Sequence, residues 1–63
     1  MKTYTIYLGI IAVATVSGTE YAYEVYSKTR ELAELLGRVA SLVWDETLEE
    51  VAYFDPECEW LED

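Results

Sequence analysis

A chain of 63 residues that is 52% hydrophobic, with three glycines and one proline, has the composition of one small folded domain and is too apolar for a disordered acidic tail. Thirteen acidic residues against four basic ones give a formal net charge of -9, and the absence of histidine beside a single cysteine excludes a histidine-based catalytic centre, a cysteine–histidine metal cage and an internal disulfide. A domain this short buries only about 60% of the surface its unfolded chain exposes, so binding is more easily built into it than a deep catalytic pocket.

The chain opens on Met1-Lys2 and an apolar run from Ile6 to Val16 in which Ala12-Val13-Ala14 imitates a signal-peptidase site. The early alternation of Thr3, Thr5 and Tyr7 with Tyr4, Ile6 and Leu8 favours a strand, and the run is shorter than the roughly 18–20 apolar residues of a membrane span. Ser17-Gly18 offers a two-residue hairpin loop, with Val16 opposite Thr19 and a second strand continuing to Tyr26. In that register Ala14 faces Tyr21, Ala12 faces Tyr23 and Ile10 faces Val25 on an apolar core face. The reverse face then carries Tyr7, Ile11, Val13 and Tyr26, enough apolar surface to take a protein partner or a second copy of the chain as a homodimer.

Leu32, Leu35, Leu36, Val39, Leu42 and Val43 recur at helical spacing, which predicts one amphipathic helix over residues 28–44, capped by Ser27 or Thr29, with Gly37 inside it either for close packing or simply tolerated. Arg30, Glu34 and Arg38 follow one another at i,i+4 on its polar side.

After the helix the sequence turns acidic. Thr47-Leu48-Glu49-Glu50 has the form of a capping box and would begin a second short helix. Val51-Ala52-Tyr53-Phe54 followed by Asp55-Pro56 instead suits a strand and a type I turn, with a return through Cys58 to Leu61, and this hairpin reading is the better supported. The expected domain is single, residues 1–63, with a hairpin over 3–27, a helix over 28–44 and an acidic strand or hairpin over 47–63. Its class is α+β, a small antiparallel ββαβ or ββαββ sheet with one helix packed on one face.

Charge carries the functional reading. Residues 1–38 balance four acids against four bases, whereas residues 39–63 hold Asp45, Glu46, Glu49, Glu50, Asp55, Glu57, Glu59, Glu62 and Asp63 with no base at all. Phosphate is bound with Lys and Arg, so direct nucleic-acid binding is disfavoured. Nine charges correspond to about 15 Å of duplex DNA, which a domain of this size can display. The candidate partner-binding residues are these nine, extended by Glu20 and Glu24 on the preceding segment. Val51, Tyr53, Phe54 and Trp60 are the candidate apolar anchors among them.

No enzyme is expected: there is no Gly-rich phosphate loop and no EF-hand spacing, and Cys58, between Glu57 and Glu59, is poorly placed to form a thiolate. No cofactor is expected either. Divalent-cation binding through the carboxylates is a minor alternative, and a small acidic structural or assembly domain whose charge serves solubility is the main one.

In size, charge placement and expected fold the chain resembles the phage-encoded anti-CRISPR proteins of the type I group and other DNA-mimic inhibitors. That group has no common signature, so no residue role is carried over. The resemblance implies an inhibitor acting in the cytoplasm of a bacterial host, with carboxylates standing where DNA phosphates lie on the basic surface of a CRISPR effector subunit or another nucleic-acid-binding protein.

Overall fold

A computed structural model of the protein describes residues 2–56. The expected class is what is observed, a four-stranded antiparallel sheet with one helix. Strands β1 (Thr3–Leu8) and β2 (Ile11–Ser17) are followed by helix α1 (Thr19–Leu36), then by β3 (Ala40–Trp44) and β4 (Glu49–Phe54). The order across the sheet is β2-β1-β3-β4, so each hairpin contributes one central strand and one edge. Strands β2 and β3 are both antiparallel to β1 and hence parallel to each other, and α1 is the crossover that joins them.

The element boundaries differ from the sequence expectation at two glycines. The first turn lies at Gly9-Ile10, not at Ser17-Gly18. A positive φ at the first loop position is what a II′-type hairpin requires, and Gly9 supplies it at 65°. Gly9 also donates its N–H to the Val39 carbonyl at 2.6 Å, tying the turn to the chain leaving the helix. Residues 19–26 are therefore helical. Tyr21, Tyr23 and Val25 satisfy a period of two, and only the longer stretch shows that the helical period holds: Ala22, Tyr26, Thr29 and Ala33 form a continuous helical stripe. The pairings of Ala14 with Tyr21, Ala12 with Tyr23 and Ile10 with Val25 do not exist. Ile6 faces Ala14 and Leu8 faces Ile11.

Gly37 supplies the second correction. It is the left-handed residue that ends α1, with φ 68°, its N–H directed to the Glu34 carbonyl and that of Arg38 to the Ala33 carbonyl at 2.8 Å. This double closure is the Schellman arrangement, in which glycine avoids the Cβ cost of the left-handed conformation. The helix accordingly stops at Leu36, and Leu42 and Val43 belong to a strand. At the other end no side chain caps the helix. Gly18 takes that position, and the Thr19 hydroxyl instead meets the Tyr4 hydroxyl at 3.1 Å. Thr29 lies inside the helix and donates to the Val25 carbonyl.

The core lies between α1 and one face of the sheet. Tyr4 and Ile6 from β1, Ala40 and Leu42 from β3, and Phe54 from β4 meet Ala22, Tyr26 and Ala33. The two alanines let the helix approach the central strands closely. On the opposite face Thr5 and Ser41 are buried polar residues, and the Thr5 hydroxyl donates to Asp45 Oδ1 at 2.7 Å. The leucines of the expected apolar stripe, Leu32, Leu35 and Leu36, are exposed.

Candidate protein-binding surface

The acidic residues that the structure gathers are those of the β3–β4 hairpin. Its connection, Asp45-Glu46-Thr47-Leu48, closes when Leu48 donates its N–H to the Trp44 carbonyl at 2.7 Å. Leu48 is the one non-glycine residue with positive φ among those described, at 59°. A left-handed leucine costs about 1–2 kcal/mol, offset by the hairpin around it. The following strand pairs with β3 through a one-residue irregularity, Leu42 opposite Ala52 and Val43 opposite Glu50, which leaves Val51 as the extra residue of a bulge. Strict alternation along the strand, with Glu49, Val51, Tyr53 and Asp55 on one side, is broken at that point.

The hairpin separates the candidate residues into groups. Glu46, Glu49 and Glu50 are exposed, the last two on the free edge of the sheet, and Asp55 is half-buried just beyond it. Asp45 is different: its carboxylate accepts from Thr5 and its N–H donates to the Thr3 carbonyl at 3.0 Å, so it fastens the turn to β1. Glu20 and Glu24 are exposed on α1, one layer away from the sheet. Glu57, Glu59, Glu62 and Asp63, with Cys58 and Trp60, lie outside the described residues. Of the apolar anchors, Phe54 is core, whereas Val51 and Tyr53 are exposed beside the carboxylates.

Two basic residues reach this region although none stands near it in sequence. Lys2 places its Nζ 4.6 Å from the centre of the Trp44 ring, and with Thr3, Trp44, Asp45 and Glu46 it lines an open depression of about 480 Å³. Trp44 Nε1 is buried there without a hydrogen-bond partner among the described residues. Arg30 lies over the Phe54 ring at 4.8 Å, a cation–π contact in place of a helical ion pair with Glu34. The charge count along the chain misses both, because Lys2 comes alongside Trp44 only through the pairing of β1 with β3.

The same neighbourhood perturbs one titrating group. Burial pushes the Tyr26 phenol above its ordinary value; Arg30 opposes that rise, and Glu50 and Tyr23 add to it. Among the described residues no group of three or more carboxylates or thiols is arranged to hold a metal ion, and no helix is long and apolar enough to cross a membrane. No protein-family model, curated protein or solved structure matches the chain.

Proposed function

We propose that this chain is a non-catalytic protein-binding module that presents the carboxylates of its β3–β4 hairpin to a basic, DNA-binding surface on another protein and competes with DNA for it. The observation that carries this reading is the placement of Glu46, Glu49 and Glu50, exposed and flanked by exposed Val51 and Tyr53, on a hairpin whose residues 40–56 contain no Lys or Arg. Carboxylates interleaved with apolar anchors are the composition of a protein interface, where charge sets the encounter rate and the anchors hold the complex.

The acids are sparser than DNA phosphates. A six-residue strand spans about 20 Å, over which duplex DNA carries about twelve charges, so Tyr53 and Val51 supply part of the affinity. The most specific form of the proposal is an inhibitor of the anti-CRISPR kind acting on a CRISPR effector subunit in a bacterial cytoplasm. A second reading, an acidic assembly domain of a larger complex, is supported by the uncharged edge strand at the other side of the sheet.

The test is a gel shift in which a CRISPR effector complex meets its duplex target with and without this protein. Lost DNA binding that needs Glu46, Glu49 and Glu50, together with an affinity for the effector, measured without DNA, that falls as salt rises from about 50 to 200 mM, supports the proposal. Unchanged DNA binding at large excess, or inhibition that survives Glu46→Gln, Glu49→Gln and Glu50→Gln together, overturns it.

A further inference from the structure

The two edges of the sheet are not equivalent. Edge strand β4 carries Glu49 and Glu50, whereas edge strand β2, Ile-Ala-Val-Ala-Thr-Val-Ser, runs seven residues without a charge. Half of the backbone N–H and C=O groups of an edge strand point away from its neighbour, and charge on the edge is the usual defence against further pairing. On β2 the one such device is a bulge, since the register slips between Ile6 and Tyr7 and leaves Val13 unpaired. From Ala14 to Ser17 the strand is regular, each residue opposite one of β1.

The surface beside this edge is apolar. Ile11 is 63% exposed and Val13 47%, with Ile10 exposed at the turn. On α1, Leu32, Leu35 and Leu36 fall on one flank, and Arg30, which reaches over β4, projects from the other side of the buried stripe Ala22–Tyr26–Ala33. The leucine flank therefore looks toward β2.

We infer that β2 is a self-association edge, pairing antiparallel with β2 of a second copy about a two-fold axis to make one continuous eight-stranded sheet. A second copy is the occupant because the exposed edge of one antiparallel strand is complementary to itself under a two-fold. Charge selects the edge on which two copies can meet. Chains of net charge -9 repel one another, and an uncharged contact must carry them. In the joined sheet the two β4 strands stand seven strand spacings apart, about 33 Å, several times the ~8–10 Å screening length, so the acidic hairpins hardly oppose assembly. The helices, packed on the central strands, stand about four strand spacings apart, ~19 Å, beyond the ~8–10 Å of direct helix packing. The leucines thus wall a trough above the new strand pair, and the strands carry the contact.

This face differs from the one expected from sequence, which combined Tyr7, Ile11, Val13 and Tyr26. Tyr26 belongs to α1 and is buried on its sheet-facing side, and Ile11 stands opposite Leu8. The inference is independent of the acidic-surface proposal and responds oppositely to salt, which weakens an acid–base complex and relieves repulsion between like-charged copies.

Sedimentation of the full chain from micromolar to near-millimolar concentration tests it. The expected mass approaches twice 7.2 kDa with concentration and does so no less readily in high salt. Val13→Glu with Thr15→Glu, which places two carboxylates of each copy beside the shared edge, should raise the dissociation constant at least about tenfold, while Val51→Glu on the other edge leaves it unchanged. Hydrogen exchange on the unaltered chain gives a readout that does not depend on the variant folding, since alternate β2 amides gain protection only in the concentrated sample. A strict monomer, a dimer lost on Leu35→Ser but not on Val13→Glu with Thr15→Glu in a folded chain, or β2 amides whose exchange ignores concentration would each overturn the inference.

Discussion

The two hairpins occupy equivalent places, each giving the sheet one central strand and one edge and each containing a one-residue bulge. Residues 3–17 of the first carry no charge, whereas residues 40–54 of the second carry Asp45, Glu46, Glu49 and Glu50. Burial on the helix-facing side is similar, Tyr4 and Ile6 in one and Ala40, Leu42 and Phe54 in the other. Architecture and surface chemistry are thus separable: the inner faces fix the fold, and the edges are free to differ. One edge carries Glu49 and Glu50, which the proposal offers to a basic partner; the other carries no charge, which the inference offers to a strand.

The comparison breaks first if the inner faces are not equivalent. Ile6 and Leu42 face each other across β1 and β3, and both are fully buried. Truncating either to alanine should cost about 2–5 kcal/mol, a large part of the stability of so small a domain. Leu35→Ala, at a position 83% exposed, should stay within about 0.5 kcal/mol of the unaltered chain. Urea melts decide it: a Leu35→Ala loss as large as that of Leu42→Ala would mean that the leucine flank, and not the stripe of Ala22, Tyr26 and Ala33, packs on the sheet.

That contrast also shows what the sequence makes legible. The alternation in β1, the helix through Leu32–Leu36 and the strand at Val51–Phe54 were all readable, the first two from their periods and the third from its β-branched and aromatic residues before Asp55-Pro56. Tyr21-Ala22-Tyr23-Glu24-Val25-Tyr26 was not, since its apolar residues fit both a strand and a helix and the helical partner Ala33 is an alanine that no hydrophobic stripe emphasises. Leu42 and Val43 continued the helical phase past Gly37 by coincidence, and only the left-handed glycine cap separates them from α1. For the acidic surface, the cluster itself was visible in the charge count. The roles of Asp45 as an acceptor for Thr5, and of Lys2 and Arg30 as neighbours, depend on strand order, which local pattern does not encode.

The next effect tests how the hairpins are fastened together. Thr5 is buried and donates a hydrogen bond to Asp45, while Thr15 across the pair is exposed, its hydroxyl 3.4 Å from that of Thr5. Thr5→Val removes a hydrogen bond to a charged group and should cost about 1.5–3 kcal/mol, whereas Thr15→Val should be nearly neutral. Equal losses in thermal melts would mean that the Thr5–Asp45 bond adds nothing to the threonine pair, and Asp45 would then rejoin Glu46 and Glu49 as a free carboxylate.

The turns provide a smaller pair of opposite sign. Gly9→Ala puts a side chain on a left-handed residue in otherwise tolerable space, 3.8 Å from Arg38 Nη1, and should cost about 1 kcal/mol. Leu48→Gly relieves the same conformation in the other hairpin, and after the added freedom of its unfolded chain the net change should be stabilising by no more than about 1 kcal/mol. If Leu48→Gly destabilised the protein as much as Gly9→Ala, the leucine side chain would be contributing contacts that its exposure denies.

The finest test asks whether the charge of the second hairpin reaches the core. Burial, with Glu50 and Tyr23 adding and Arg30 opposing, holds the folded pKa of Tyr26 above its unfolded value of about 10. Between those two values the folded state retains a proton that the unfolded state has released, so stability is fully present below about pH 10 and falls as pH rises through the folded pKa. Tyr26→Phe should remove this contribution and give a melting temperature that declines less steeply on the alkaline side. Glu50→Gln should lower the phenol's midpoint in an ultraviolet titration, because it removes a negative charge that disfavours the phenolate. A midpoint unmoved by Glu50→Gln would leave burial and Tyr23 as the causes of the rise, with Glu50 on the outer edge electrically separate from the tyrosine on the buried side of α1.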